Sequence, residues 1–257
     1  MVPSLRVHGL DSSVELRFTD PDSRTLLEAA THVWSRCLIP ATSSRQAETL
    51  HVQPPSDSFD AARRHTLQRL TQDVTESLIT SQAGHWLMLH AGAVSNPATG
   101  DCLVFAAPGG TGKTTLSRHL GQRFGYVSDE TVAIDPASGR IHPYPKPLSL
   151  RIPGQAEKSE TSPDDLELRH AAAELRVGRI VVLRREPDHV GAPDLAELAP
   201  LDAMAALLPE TSWIRAFDEP LRTLRRVIAA HGPVLRCTYR EASDLSAVAA
   251  ALIGDPS

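Results

Sequence analysis

Residues 102–115 read Cys-Leu-Val-Phe-Ala-Ala-Pro-Gly-Gly-Thr-Gly-Lys-Thr-Thr. The apolar run 102–107 has the length and continuity of a strand buried on both faces. Leu116, Leu120 and Phe124 follow at helical intervals, so the order is strand, glycine-rich turn, helix. The turn fits the pattern [AG]-x-x-x-x-G-K-[ST], with Ala107 where Gly is usual, at a position that needs only a small side chain. Gly109, Gly110, Thr111 and Gly112 would let the backbone turn its N–H groups inward around a phosphate held at the positive end of the helix. Lys113 would then bridge the β- and γ-phosphates of ATP, and Thr114 would place its hydroxyl on Mg²⁺. Thr115 would touch the α-phosphate or cap the turn. A bare match can be a chance turn, but the entering strand and the leaving helix are the context a phosphate-binding loop requires.

YVSDE at 126–130 is a short strand ending in two acids, Asp129, sixteen positions after Lys113, and Glu130. A helix of twelve residues spans about 18 Å, so the chain is expected to return and lay this strand beside the one that enters the loop. A carboxylate there could hold Mg²⁺ through water, and a second could take a proton from an attacking hydroxyl or water. Ser128-Asp129 capping a turn with solvated acids is the plain alternative. On the other side, WLMLHAGAV at 86–94 reads as one apolar strand, and the turn-rich SNPATGD makes it a hairpin with 102–107. His90 lies in it, either as a half-buried structural histidine or facing the phosphates. Ala91-Gly92-Ala93 beside it would leave room for close approach.

The remaining pattern places strands at 5–7, 14–18 and 50–52, and a helix at 26–37. An amphipathic helix at 61–81 carries Leu67, Leu70, Val74, Leu78 and Ile79. A hairpin folds around PASG at 136–139, YPKPLSLRIPG is extended, and 155–165 is an acidic polar loop. Later come strands at 179–183 and 234–239 and helices at 201–208, 220–230 and 243–253. The Ser-, Pro- and Gln-rich stretch 40–60 is the expected linker, dividing a small α+β lobe, 1–58, from a larger domain, 59–257. The fold class expected is α/β: a loop-centred core of mixed β-sheet with flanking helices, plus the N-terminal lobe.

Composition excludes several classes. A chain of 257 residues with 41% hydrophobic and 22% charged residues can bury its own core. A net charge of -5 argues against a general nucleic-acid or acidic-membrane binder. Cys37, Cys102 and Cys237 show neither metal-site spacing nor a disulfide framework, which fits a reducing cytoplasm. No apolar run approaches the length of a membrane span or of a secretory h-region. Basic residues are almost all Arg, with Lys only at 113, 146 and 158. Lys146 and Lys158 are expected to be solvated loop residues.

LHAGAV (89–94), LVFAAPGGTGKTTLSRHL (103–120), GYVSDETVAI (125–134) and YPKPLSLRIPG (144–154), in this order and spacing, resemble the HPr kinase family. The P-loop domain of that family is similar to the nucleotide-binding core of phosphoenolpyruvate carboxykinase. The resemblance covers about 85–154 and implies a fold like the C-terminal domain of those kinases, with ATP and Mg²⁺ as cofactors. It implies that His90 faces the transfer region and orients or polarises the acceptor or the phosphates. It makes Asp129 the base, with Glu130 sharing metal or acceptor contacts, although the family usually shows Asp-Asp here. Arg151 is similar to the arginine of a Glu-x-Arg-Gly segment and would steady a phosphate, while Ser149 stands where that family commonly has Glu. Neither the larger N-terminal domain nor the characteristic C-terminal region of full-length HPr kinases is evident. Short relatives are associated with modification of ribosomally made peptides, so the resemblance implies a serine hydroxyl of a protein or precursor peptide as acceptor. An ATPase switch, a nucleotide-binding module and a small-molecule kinase for an amino acid or sugar are the alternatives. Such relatives often form homo-oligomers, but no heptad or apolar stripe here demands one.

Overall fold

The computed structural model describes residues 2–20, 23–40, 47–53, 60–152, 154 and 158–256. In chain order, β1 (Ser4–Gly9), β2 (Ser12–Phe18), α1 (Arg24–Val33), β3 (Leu38–Ile39) and β4 (Glu48–Val52) precede the long helix α2 (Asp60–Ser81). Then come β5 (Leu87–Leu89), β6 (Ala91–Ser95), β7 (Asp101–Ala106), α3 (Lys113–Gly121), β8 (Gly125–Ser128), β9 (Val132–Ile134) and β10 (Ile141–His142). Next are β11 (Leu148–Arg151), β12 (Lys158–Thr161), β13 (Arg169–His170), β14 (Arg176–Arg185) and β15 (Asp194–Glu197). The chain closes with α4 (Pro200–Leu207), β16 (Thr211–Ser212), α5 (Pro220–Ala230), β17 (Leu235–Tyr239) and α6 (Leu245–Ile253). The class is α/β, with mixed sheets and flanking helices, as the pattern predicts.

These elements form two compact units, one of 1–82 with 144–166 and the other of 83–143 with 167–257. The division does not follow a single cut after residue 58. Helix α2 belongs with the first unit, where it packs on β2, β4 and β12. Its apolar stripe Leu67, Leu70, Val74 and Leu78 is buried there, as its spacing predicts. The expected linker 40–60 falls largely outside the described residues.

In the first unit the sheet order is β3-β1-β2-β4. β1 and β2 form a two-residue hairpin whose central Leu10 and Asp11 both take positive φ, 52° and 62°, the handedness that matches strand twist. β11 and β12 form an antiparallel pair, so 158–161 is strand rather than loop, and residues 155–157 lie outside the described residues. Lys158 lies in that strand. Lys146, expected to be solvated, is 1% exposed, and its Nζ donates to the Pro147 carbonyl at 3.1 Å. The Tyr144 hydroxyl, also buried, shares a hydrogen bond with Thr75 Oγ1 at 3.1 Å.

In the second unit a seven-stranded sheet runs β13-β8-β6-β7-β14-β17-β15. β13 pairs parallel with β8, and β7, β14 and β17 pair parallel in turn, while β6 and β15 run against their neighbours. β7 alternates its side chains between two cores. Cys102, Val104 and Ala106 point to the face covered by α4 and α5, through Ala203, Leu207, Leu224 and Val227. Leu103, Phe105 and Ala107 point to the face covered by α3 and α6, through Leu116, Leu120, Leu245 and Ala249. That is why 102–107 is continuously apolar. A second sheet, β10-β9-β5-β16, adjoins it in sequence. All three cysteines are free and buried; burial pushes the Cys37 and Cys237 thiols up to about 12, which leaves them unreactive near neutrality. Among the described residues no helix is long and apolar enough to cross a membrane.

The apolar stretch 86–94 is not one strand: it breaks at His90, with β5 joining the second sheet and β6 the large one. And β8 does not lie directly beside β7, because β6 is inserted between them. Both β8 and β7 are antiparallel to β6, so they share a direction and end at the same edge of the sheet.

Candidate functional site

The C-terminal edge of a parallel sheet is where open α/β folds place their ligands. β7 leaves the sheet at this edge through Ala107 and Pro108 into the glycine turn, and α3 starts at Lys113. Gly110 and Gly112 have φ of 84° and 100°, a backbone region that only glycine enters without strain. A Cβ built on Gly109, Gly110 or Gly112 would meet nothing within 4 Å, so the loop faces open space. The first intrahelical bond runs from the Leu116 amide to the Gly112 carbonyl at 3.0 Å. The amides of residues 113–115 therefore have no acceptor within the helix, and they lie at the positive end of its dipole. Open space, free helix-start amides and a lysine at this point together fit a phosphate chain. Thr111 Oγ1 donates to the Pro108 carbonyl at 2.8 Å and pins the turn; Thr114 is half-buried and Thr115 exposed.

The Lys113 side chain is 7% exposed and folds back along the loop, donating to the Ala107 carbonyl and, at 3.5 Å, to the Pro108 carbonyl. Burial pushes its ammonium below the ordinary value, against the opposing pull of the Glu210, Glu130 and Asp129 carboxylates. A phosphate entering the loop offers Nζ a charged partner in place of two neutral carbonyls.

Asp129 and Glu130 follow β8 in a tight turn closed by Ser128, whose Oγ accepts from the Glu130 amide at 3.3 Å and the Thr131 amide at 3.2 Å. Asp129 is 4% exposed, and the buried Tyr126 hydroxyl donates to its Oδ1 at 3.2 Å. That contradicts the picture of two solvated acids. Tyr126 is a residue that the pattern did not single out.

His90 occupies the break between β5 and β6. The pair Ala91↔Ala106 closes the β6–β7 ladder just beyond it, so His90 stands at the head of β6. Its amide donates to the Glu210 carbonyl at 2.6 Å, and the next amide, of Ala91, donates to the Glu130 carbonyl at 3.1 Å. Burial pushes the half-buried imidazole below its usual 6.5 and the Lys113 ammonium adds to this, while Glu130, Glu210 and Asp129 pull it back up. The ring is neutral at pH 7. With the folded-state value depressed, its contribution to stability is full above about 6.5 and is lost as pH falls toward the lower folded-state value. A ¹H–¹⁵N titration of the His90 ring should give a midpoint below 6.5; a midpoint above it would contradict this electrostatic picture.

One unit thus brings together Lys113, Thr114, His90, Asp129 and Glu130, and adds Glu210, which no local pattern reveals. Glu210 comes to the site because Thr211 pairs with Leu89, more than a hundred positions away in the chain. Arg151 is carried by the other unit, exposed at the end of β11. Gly92 has a different task from the one expected of it. A Cβ there would fall 2.2 Å from Phe105 Cε2 and 2.7 Å from Ser117 Oγ, so its smallness seats α3 on the sheet rather than admitting a ligand.

Among the described residues no three His, Cys, Asp or Glu are gathered in the manner of a metal cage. Mg²⁺ does not ask for one, since it is usually held by one or two carboxylates together with substrate phosphates and water. The Asp129–Glu130 turn near Lys113 suits that mode.

No family model matches the chain, and no curated protein does. Among solved structures it is similar to the Hpr(Ser) kinase/phosphatase from Coxiella burnetii, at 13% sequence identity and a TM-score of 0.33 over 65% of this chain and 93% of that one.

Proposed function

We propose that the chain is an ATP-dependent kinase that transfers the γ-phosphoryl group to a serine hydroxyl of a protein or precursor peptide. The observation that carries this reading is the shared sheet edge. β7 delivers Lys113 and the helix-start amides there, β8 delivers Asp129 and Glu130, and His90 stands at the head of the strand between them. This arrangement supports a reading in which phosphate binding and proton acceptance lie side by side.

In the proposed reaction the acceptor oxygen forms a bond to the γ-phosphorus as the bond to the ADP oxygen breaks, and the hydroxyl proton passes to Asp129. Lys113 and the amides at the start of α3 stabilise the charge on the moving group. Tyr126 fixes the orientation of Asp129 through its hydrogen bond. Neutral His90 supplies a polar contact to phosphate or acceptor without adding charge. Thr114 and Glu130 would hold Mg²⁺, which supplies charge neutralisation on the phosphates. The resemblance alone gives Arg151 the part of steadying a phosphate. Positioning and electrostatics account for most of the rate in such a site.

The segments resembling HPr kinases, 85–154, support transfer to a hydroxyl rather than to water. The test is intact mass of an acceptor panel of serine-containing peptides, HPr-like proteins and free serine, after incubation with the protein, ATP and Mg²⁺. One phosphate gained on a peptide or protein, and none on free serine, is the expected result. ADP accumulating with no acceptor modified would overturn the kinase reading in favour of an ATPase switch. A companion variant, Lys113→Ala, should weaken ATP binding by about 10²-fold, the effect of losing a charged hydrogen bond to phosphate.

A further inference from the structure

Trp213 takes φ of 53° and ψ of 26°, a left-handed backbone conformation that a bulky residue rarely adopts, and it is 55% exposed. The other two tryptophans are placed differently: Trp34 is fully buried and Trp86 stacks on His142. The backbone around Trp213 is held from both sides. Thr211 and Ser212 pair with Leu89 and Met88, and the Ala216 amide donates to the Trp213 carbonyl at 2.9 Å. A Cβ on Gly84 would fall 2.9 Å from the Ala216 carbonyl oxygen, so this turn is seated closely on the chain that enters β5. An exposed aromatic in a strained conformation gains little from the core, and strained residues gather where a ligand uses them.

Main-chain links place Trp213 relative to the candidate site. The Glu130 carbonyl accepts from the Ala91 amide and the Glu210 carbonyl from the His90 amide, so the turn after β8 and the segment 210–213 meet at the same break. Trp213 stands three residues beyond Glu210, about 10 Å at the rise of an extended chain. In-line transfer puts the acceptor and the departing ADP on opposite sides of the γ-phosphorus, and the proton acceptor marks the acceptor side. Asp129 immediately precedes Glu130, so the chain leading to Trp213 starts from that side. The short turn Ile214–Ala216 then packs against α5, whose buried residues Thr223, Leu224, Val227 and Ile228 leave Leu221, Arg222, Arg225 and Arg226 exposed. Asp218 and Glu219 precede the helix, and Glu219 pairs with Arg222. Among the described residues Arg215, Arg225 and Arg226 have no carboxylate partner, which leaves an aromatic ring followed in the chain by unpaired positive charge. We propose that Trp213, with Arg215, Arg225 and Arg226, docks the acceptor as a peptide, taking an apolar side chain about three to five residues from the acceptor serine and acidic side chains beyond it. This rests on the kinase reading and gives Trp213 no part in the chemical step.

The test is phosphate transfer from labelled ATP to a library of serine-centred peptides varied one position at a time, with the wild type, Trp213→Gly, Trp213→Phe and Arg225→Gln/Arg226→Gln. Wild type should prefer peptides carrying an apolar residue with acidic residues beyond it. Trp213→Gly removes the ring and accepts the positive φ without strain, so the fold should survive. Its KM for the preferred peptides should rise about thirtyfold, the effect of losing an aromatic anchor, with kcat and the KM for ATP within about twofold. Trp213→Phe should restore most of the preference. Arg225→Gln/Arg226→Gln should raise the peptide KM about threefold at low salt and leave it unchanged at high salt, as for exposed charge pairs. An unchanged peptide preference in Trp213→Gly would overturn the proposal, and so would a preference of the wild type for basic residues. A rise confined to the KM for ATP would overturn it in favour of stacking on the nucleotide base. No phosphate on any peptide with the wild type would overturn the kinase reading, and this proposal with it.

Discussion

Asp129→Asn is expected to lower phosphoryl transfer by about 10³-fold while leaving ATP affinity within about threefold of wild type, as for loss of a proton acceptor that acts only in the transition state. The change is nearly isosteric, and the Tyr126 hydroxyl that donates to Oδ1 can donate equally to an asparagine carbonyl oxygen. The turn itself is closed by Ser128 and main-chain amides, which the substitution leaves alone. Thermal stability should therefore stay close to wild type, and any loss of transfer reports chemistry. Glu130→Gln provides the contrast: a residue sharing the metal should raise the Mg²⁺ requirement along with slowing transfer. Equal losses of binding and transfer in Asp129→Asn would contradict its role as base. A large loss confined to Glu130→Gln would exchange the two assignments.

Gly92→Ala should be strongly destabilising, costing about 3 kcal/mol, at the upper end for overpacking. The added carbon would lie 2.2 and 2.6 Å from the Phe105 ring and 2.7 Å from Ser117 Oγ. Both neighbours are buried, at 1% and 0% exposure, between the sheet and α3, so neither can swing into solvent. Relief would require α3 to lift, and that helix carries Lys113. Melting temperature should fall by about 6–12 °C. Trimming the ring should recover part of this: the cost of Gly92→Ala in a Phe105→Leu background should be smaller by more than about 1 kcal/mol, the signature of directly coupled sites. The same cost in both backgrounds would place the strain elsewhere.

The readable part of this protein was local. The strand 102–107, the glycine turn and the helix that follows are consecutive, so composition and spacing fix their order, and the structure has them as read. The amphipathic α2, the PASG turn and the terminal helices were legible on the same grounds. What escaped depends on partners distant in the chain. His90 lies in an unbroken apolar run, and nothing nearby announces that β5 and β6 belong to different sheets. The insertion of β6 between β8 and β7 follows from hairpin pairing with β7 combined with a second pairing to β8, a choice that periodicity does not encode. Glu210 reaches the loop only through the short β16. The strands β12, β13, β15 and β16 are polar and brief, so they lack the alternation that marks a strand. Lys146 shows the converse limit, since a lone lysine between prolines reads as solvent-facing until the fold buries it.

The most direct measurement is a crystal structure with Mg²⁺ and a non-hydrolysable ATP analogue. The account predicts the β-phosphate within hydrogen-bond distance of the amides at the start of α3, and Lys113 Nζ moved from the Ala107 carbonyl onto the phosphates. The metal should lie on the side of Asp129 and Glu130. A nucleotide bound elsewhere, or Lys113 still on the Ala107 carbonyl with the analogue in place, would contradict it.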